Sequence, residues 1–149
     1  MPRVLMPLAQ GCEELEAVTI IDLLRRAEIE VVTAGLEDGP VKGSRGTVLL
    51  PDTTLDAVMD EAFDMMVLPG GLPGSDHLDR DPRVHEMLRR LDAAGSFTAA
   101  ICAAPKVLAN AGLLDGKSAT SYPGAVTIDQ YPRVNILGSA VVTDGKVIT

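Results

Sequence analysis

Ser96-Phe97-Thr98-Ala99-Ala100-Ile101-Cys102-Ala103-Ala104-Pro105-Lys106-Val107-Leu108 is the stretch that decides the fold. It opens as a short apolar, β-leaning run and ends as a helical one, with a cysteine at the join. Pro105 suits a first helical position, where its missing N–H would have no partner anyway. The small alanines on either side of Cys102 let the chain turn sharply and leave the sulfur uncovered. A thiol just ahead of a helix faces unpaired backbone N–H groups and the positive dipole end, and both favour thiolate. The arrangement reads as a nucleophile elbow with Cys in the usual place of Ser. The alternative for this window is a buried structural cysteine.

Outward from that stretch the chain alternates strands and helices. Arg3 to Leu8 reads as a buried strand, followed by a turn at Gly11-Cys12-Glu13-Glu14 and a helix to about Ala27. That helix has Leu15, Val18 and Asp22 on one side and Ala17, Ile20, Ile21 and Leu24 on another. Apolar groups on two faces predict burial on both sides, with a partner chain as one cover. Strands are predicted at Glu30–Gly35, Thr47–Leu50 and Asp64–Leu68, with a Gly-rich loop over Leu36–Gly46 and a short helix capped by Thr54 running through Ala62. Asp81 as N-cap, Pro82 in the first turn, and Val84, Met87, Leu88 and Leu91 at i, i+3, i+4, i+7 mark a helix that Gly95 ends. After Cys102 a helix over Pro105–Ala111 has Gly112 at C′ with Leu113 packing back on it. Ser118–Tyr122 reads as a strand. Asp144-Gly145 is predicted to join Ser139–Thr143 and Lys146–Thr149 as a type I′ hairpin.

Such alternation with short loops predicts an α/β fold, a mostly parallel sheet with helices on both faces, in one domain over 1–149. A parallel sheet needs both faces covered. The chain stops at Thr149 straight after a strand, so a further covering helix is expected to be missing.

Composition narrows the function classes. The 149 residues suffice for a real core, and the 46% hydrophobic fraction comes from Ala, Val and Leu rather than aromatics. No apolar run approaches the ~18 residues of a membrane span, and the strand-like start is not a signal peptide. Two widely spaced cysteines give neither a disulfide framework nor metal spacing, which points to a reducing cytoplasm. A net charge of −8 with no basic cluster argues against nucleic-acid binding.

In open α/β sheets the active crevice lies beyond the carboxyl ends of the strands. Three loops are expected to meet there, carrying Glu13, Glu14 and Glu16, then Gly70-Gly71, then Cys102. Glu13 and Glu14 read as exposed charges favourable to the helix dipole. Glu16 lies one helical step further round; buried beside the sulfur, it would keep its proton and donate to a thiolate. Gly70-Gly71 is either a tight turn or a pair of N–H groups able to approach a substrate oxygen closely.

Gly11-Cys12-Glu13-Glu14-Leu15-Glu16, Leu68-Pro69-Gly70-Gly71 and Ala99-Ala100-Ile101-Cys102-Ala103-Ala104-Pro105 resemble the ThiJ/PfpI superfamily, over Arg3 to Thr149. Within it the chain looks most like the bacterial relatives of the parkinsonism-associated deglycase and oxidative-stress protein. The resemblance implies a flavodoxin-like sandwich, a homodimer, a reactive Cys102 with Glu16 as its protonated partner, and Arg45 near the dimer interface and the site. It also implies a long C-terminal helix after Thr149.

Two positions depart from the family pattern. The protease-like branch places a His directly after the cysteine, where this chain has Ala103. The deglycase-like branch often has a His in a Thr-His-Pro-like turn, where this chain reads Ser121-Tyr122-Pro123. A phenol with a pKa near 10 does not replace imidazole as a base at neutral pH, so Tyr122 is read as a pocket wall and hydrogen-bond donor. His85 reads as solvent-facing on its helix, and His77 as a loop residue after Gly70-Gly71 that either touches the site or does not. Cys12 is either a resolving thiol for an oxidised Cys102 or a small core residue.

Three functions follow. The first is a thiol enzyme of glyoxalase or deglycase type, without cofactor or metal, acting on a small aldehyde or glycated substrate. In it Cys102 and Glu16 are catalytic, and Gly70, Gly71, Ala103, Tyr122 and Arg45 bind oxyanion and substrate. The second is a redox-responsive stress protein or chaperone in which Cys102 oxidises to sulfinate. The third, a peptidase or amidase, is disfavoured by Ala103.

Overall fold

The computed structural model describes residues 1–149. In chain order the elements are β1 (Arg3–Leu8), α1 (Glu14–Arg26), β2 (Glu30–Gly35), β3 (Val41–Lys42), β4 (Val48–Leu49), β5 (Thr53–Thr54), α2 (Leu55–Val58) and β6 (Met65–Leu68). They continue with α3 (Gly74–Arg80), α4 (Pro82–Ala93), β7 (Phe97–Ala100), α5 (Pro105–Asn110), β8 (Ser118–Ala119), β9 (Asn135–Ile136), β10 (Thr143–Asp144) and β11 (Val147–Ile148). Seven strands form one sheet in the order β5-β2-β1-β6-β7-β11-β10. All neighbours are parallel except the edge pair β10–β11. The chain runs from β1 outward to β2, then returns to the other side of β1 at β6. That reversal between β1 and β6 is the switch point of a flavodoxin-like sheet.

Strand residues point alternately to two cores, as the period of two requires. Leu5, Met66, Leu68 and Ala100 face the core shared with α2 to α5, whose buried members include Val84, Met87, Leu88 and Leu108. Val4, Met6, Leu8, Val67 and Ala99 face a smaller core under α1, completed by Ala17 and packed by Ile20, Ile21 and Leu24. The other apolar face of α1 is open in this chain, with Leu15 73% and Val18 45% exposed. No helix is long and apolar enough to cross a membrane.

The start of α4 and the ends of α5 and α1 follow local capping patterns. The Asp81 side chain accepts from the Arg83 N–H at 2.9 Å, with Pro82 in the first turn of α4. Beyond α5, the Leu113 N–H bonds to the Leu108 carbonyl and the Gly112 N–H to the Ala109 carbonyl, a complete Schellman motif with Gly112 at φ +84°. The same pattern closes α1 through Ile29 to Leu24 and Glu28 to Arg25, but there the left-handed residue is Glu28, at φ +62°.

Four local expectations are corrected. Thr54 makes no side-chain cap, and α2 ends at Val58, because one turn of Leu55 and Val58 already fills the core. The Gly-rich loop hides a strand, since β3 pairs antiparallel with β4. Ser118–Tyr122 does not join the main sheet; β8 pairs with β9 apart from it. The final hairpin pairs Asp144 with Val147, so its loop is Gly145-Lys146, with only Gly145 at positive φ. That is the pattern of a type II′ turn, since type I′ needs two such residues.

A side chain with Cβ costs about 1–2 kcal/mol in the left-handed region. Glu28→Gly is therefore expected to raise stability by up to about 1 kcal/mol. Urea unfolding checks this as a higher midpoint at unchanged slope.

Candidate active site

The turns after β1, β6 and β7 are packed against one another at the carboxyl edge of the sheet. The Glu13 N–H donates to the Gly70 carbonyl at 2.9 Å, and the Ile101 N–H to the Leu68 carbonyl at 3.2 Å. Gly70 sits between the two functional side chains. A Cβ there would stand 2.5 Å from Glu16 Oε1 and 2.6 Å from Cys102 Cβ. Gly71 takes φ +93°, and a Cβ on it would run into the Glu13 backbone. Both glycines are thus required by the approach of the three turns.

Cys102 has φ +60°, a left-handed conformation for a residue with a side chain. Such strain costs of order 1–3 kcal/mol and holds only where the surroundings impose it. Here the chain leaves β7, turns at Cys102 and enters α5 at Pro105, while the Cys102 carbonyl is fixed by the Tyr122 N–H at 2.7 Å. The half-buried thiol has the half-buried Glu16 across Gly70 from it. Glu16 Oε1 in turn accepts the Gly70 N–H at 3.0 Å.

Burial is the main cause holding the Cys102 thiol above its ordinary value, followed by the Glu16 charge and their hydrogen bond. The N–H groups of Ala103 and Gly71 pull the other way. This differs from the sequence expectation of a dipole-lowered thiol, because α5 has only six residues and the carboxyl is in direct contact. A thiolate and a carboxylate both only accept, so a hydrogen bond between two such groups needs a proton on one of them.

Gly71, Ala103, Tyr122 and Arg45 line one cavity of about 330 Å³ with Cys102, and Glu13 and Ser44 join them. The structure thus brings the sequence-predicted site residues Cys102, Glu16, Gly70, Gly71, Ala103, Tyr122 and Arg45 into one region. Gly70 lines no wall, since its N–H is engaged by Glu16. Tyr122 is 63% exposed and also borders a second cavity that Cys102 lines.

Arg45 is positioned by a residue that sequence reasoning left on the surface. Glu14 is 9% exposed, and its carboxylate accepts the N–H groups of Arg45 at 3.1 Å and Thr47 at 3.0 Å. Its own backbone N–H first, then those of Arg45 and Thr47, hold it below the usual carboxylate range. Nothing local in Glu13-Glu14 signals this, because the donors lie some thirty residues away in the β3–β4 hairpin. Ser44 Oγ likewise bonds Glu13 at 3.1 Å.

The histidines depart from expectation. His77 lies on α3, not in a loop, and lines a cavity with Gln10 and Arg80 that excludes Cys102. The His85 side chain is only 14% exposed, with Nε2 2.7 Å from the Asp79 carbonyl oxygen, so it is not on a solvated face. Cys12 is fully buried, and burial pushes its thiol up to about 11. It is core, and a poor resolving thiol.

Fold and site together define a flavodoxin-like α/β protein with a cysteine on a strained strand-to-helix elbow beside a carboxyl. The chain belongs to the DJ-1/PfpI family, whose sequence profile matches residues 2–149. It is 46% identical over 148 residues to protein dj-1beta of Drosophila melanogaster, covering 97% of this chain and 78% of that one. It is 32% identical over 144 residues to deglycase PH1704 of Pyrococcus horikoshii, covering 97% and 86%. Among solved structures, oxidised DJ-1 of Toxoplasma gondii superposes with a TM-score of 0.94 at 40% identity, covering 100% of this chain and 81% of that one.

Two outcomes test this geometry. Gly70→Ala is expected to cost about 1–3 kcal/mol by overpacking, whereas Gly138→Ala, with nothing within 4 Å of its Cβ, stays within about 0.5 kcal/mol. Chemical denaturation of the two variants measures the contrast. The rate of Cys102 alkylation is expected to rise with pH through a midpoint above the ordinary thiol range, and that midpoint to fall in Glu16→Leu, which removes a neighbouring charge that raises it. Cys12, with a thiol near 11, stays unlabelled at pH 8 until the protein is unfolded.

Proposed function

We propose that this chain is a cofactor-independent thiol enzyme of glyoxalase or deglycase type, acting on reactive carbonyls or glycated adducts. One observation carries the reading: a half-buried cysteine on a left-handed elbow, with the Glu16 carboxyl across Gly70 from it and the N–H groups of Gly71 and Ala103 favouring its charged form. The relative from Pyrococcus horikoshii that bears the name deglycase supports it.

In this mechanism Sγ adds to the aldehyde carbon while the thiol proton moves to the carbonyl oxygen, giving a hemithioacetal. The Gly71 and Ala103 N–H groups stabilise the oxygen as its charge develops. With methylglyoxal, Glu16 removes the former aldehyde proton and returns it to the ketone carbon, while the hemithioacetal hydroxyl proton passes to the former ketone oxygen, leaving a lactoyl thioester. Water then releases lactate and the thiol, so the net change is addition of one water. The exposed Arg45 guanidinium forms no ion pair in this chain and is free to meet the product carboxylate. Ala103 leaves no His beside the nucleophile, which disfavours a peptidase. The exposed Leu15 and Val18 of α1 support a homodimer. Both thiols are free, which suits the cytoplasm.

The accessible thiol, and the relative solved in oxidised form, favour one second reading, a redox-sensing stress protein. Two peroxide molecules would take the thiolate through sulfenate to sulfinate, each being reduced to water.

Methylglyoxal turnover decides between them. Cys102→Ser is expected to abolish lactate formation, and Glu16→Leu to lower it by about 10²-fold or more. A wild-type protein that makes no lactate but accumulates dioxygenated Cys102 under mild peroxide, seen by mass spectrometry, would leave the sensor reading standing alone.

A further inference from the structure

A separate cavity opens where β1 and β2 end, against the junction of α3 and α4. It measures about 480 Å³ and shares no lining residue with the cavity of Cys102, Arg45 and Tyr122. The carboxyl edge of an open α/β sheet is where such folds take their ligands. Leu8, Leu36 and Val41 give this cavity an aliphatic wall, with Leu8 and Val41 each 2% exposed.

Two of its polar groups are held in place by the fold. The Asp81 carboxylate accepts from Arg83 Nε at 3.0 Å and Nη2 at 2.6 Å, and Nη2 also reaches the Leu36 carbonyl at 2.8 Å. The Gln10 amide oxygen accepts the Lys42 N–H at 2.9 Å, and its Nε2 donates to the Pro40 carbonyl at 3.0 Å. That amide keeps a second Nε2 proton to give. Groups fixed before a ligand arrives lower the ordering cost of binding.

Three further groups have no such partner. His77 and Arg80, one turn apart on α3, and Glu37, in the loop after β2, form no ion pair. Asp76 is engaged by Lys106 first and feels Arg80 only through space. Arg80 and Glu37 line one cavity, yet no guanidinium nitrogen lies within 4.0 Å of a Glu37 oxygen. A lone anion here would meet Glu37 and Asp81, and a lone cation Arg80 and Arg83. A ligand carrying carboxylate and ammonium on one carbon satisfies both unpaired charges, while an apolar side chain covers the aliphatic wall.

We propose that this cavity binds a free α-amino acid with an aliphatic side chain. Its carboxylate lies on Arg80 and the spare Gln10 donor, with His77 one turn away. Its ammonium lies on Glu37, and its side chain against Leu8, Leu36 and Val41. The site uses none of the groups that act at Cys102 and stands or falls apart from them.

The test titrates the full chain, isotope-labelled, with L-leucine, with isocaproate, which lacks the ammonium, and with isoamylamine, which lacks the carboxylate. Leucine is expected to saturate, with amide NMR shifts centred on Leu36, His77 and Arg80. It is expected to bind about threefold or more tighter than either analogue, the worth of one exposed ion pair. Glu37→Gln is expected to lower leucine affinity to that of isocaproate without weakening isocaproate. Arg80→Gln is expected to lower it to that of isoamylamine without weakening the amine. Both side chains are exposed, so neither change disturbs the core. Leucine that fails to saturate at its solubility limit overturns the proposal. So does either analogue binding as tightly as leucine, since one charge would then suffice. Leucine affinity left unchanged by either substitution overturns it as well, because the binding would then lie elsewhere.

Discussion

The site depends on the close approach of three backbone turns with no side chain between them. Gly70 is wedged between Glu16 and Cys102, and a Cβ on Gly74 would run into the backbone of Cys12. Hydrogen bonds from Glu13 to Gly70 and from Gly74 to Gly11, at 2.9 and 3.1 Å, seal the contact. Close packing makes such a seam intolerant of even one methyl group. It fixes where Glu16 enters, how the chain leaves β6 and how sharply it must turn at Cys102. The left-handed Cys102 is a consequence, since local propensity alone would not choose φ +60° for a cysteine.

Chemistry follows from what that seam encloses. The Glu16 carboxyl stands close enough to Cys102 to raise its thiol, and it does so because Gly70 between them lacks a side chain. Burial alone would make the thiol inert, as it does for Cys12. At Cys102 the N–H groups of Ala103 and Gly71 oppose that penalty. Discrete backbone donors, placed by the elbow, do what a six-residue helix dipole is too short to do.

A second anchor sets the wall of the cavity. Glu14 reaches from the start of α1 under the β3–β4 hairpin and accepts its N–H groups, so Arg45 stands beside Cys102 although the two are far apart in sequence. Gly43 is bound to this arrangement, since a Cβ there would stand 2.5 Å from the Glu14 carboxyl carbon. The first turn of α1 therefore serves both walls, with Glu16 facing the sulfur and Glu14 facing the hairpin.

Strand and helix periodicity, the Asp81-Pro82 start, the Gly112 stop and the Cys102 join were all legible in the sequence, because each is a local property of backbone and side-chain chemistry. So was the meeting of Glu16, Gly70-Gly71 and Cys102, because in a parallel sheet loops after neighbouring strands share an edge. Tertiary structure alone decided that the Gly70 N–H serves Glu16, that Glu14 is an internal anchor, and that His85 is enclosed rather than solvated. It also decided that α3 forms around His77 and that Lys106 and Asn110 line a cavity with Ala103 and Tyr122. In each case the deciding partner lies some thirty or more residues away or on another element, and a pattern of three to seven residues carries no trace of it. Sequence names the groups that can do chemistry; the approach of distant turns determines which hydrogen bonds remain free to do it.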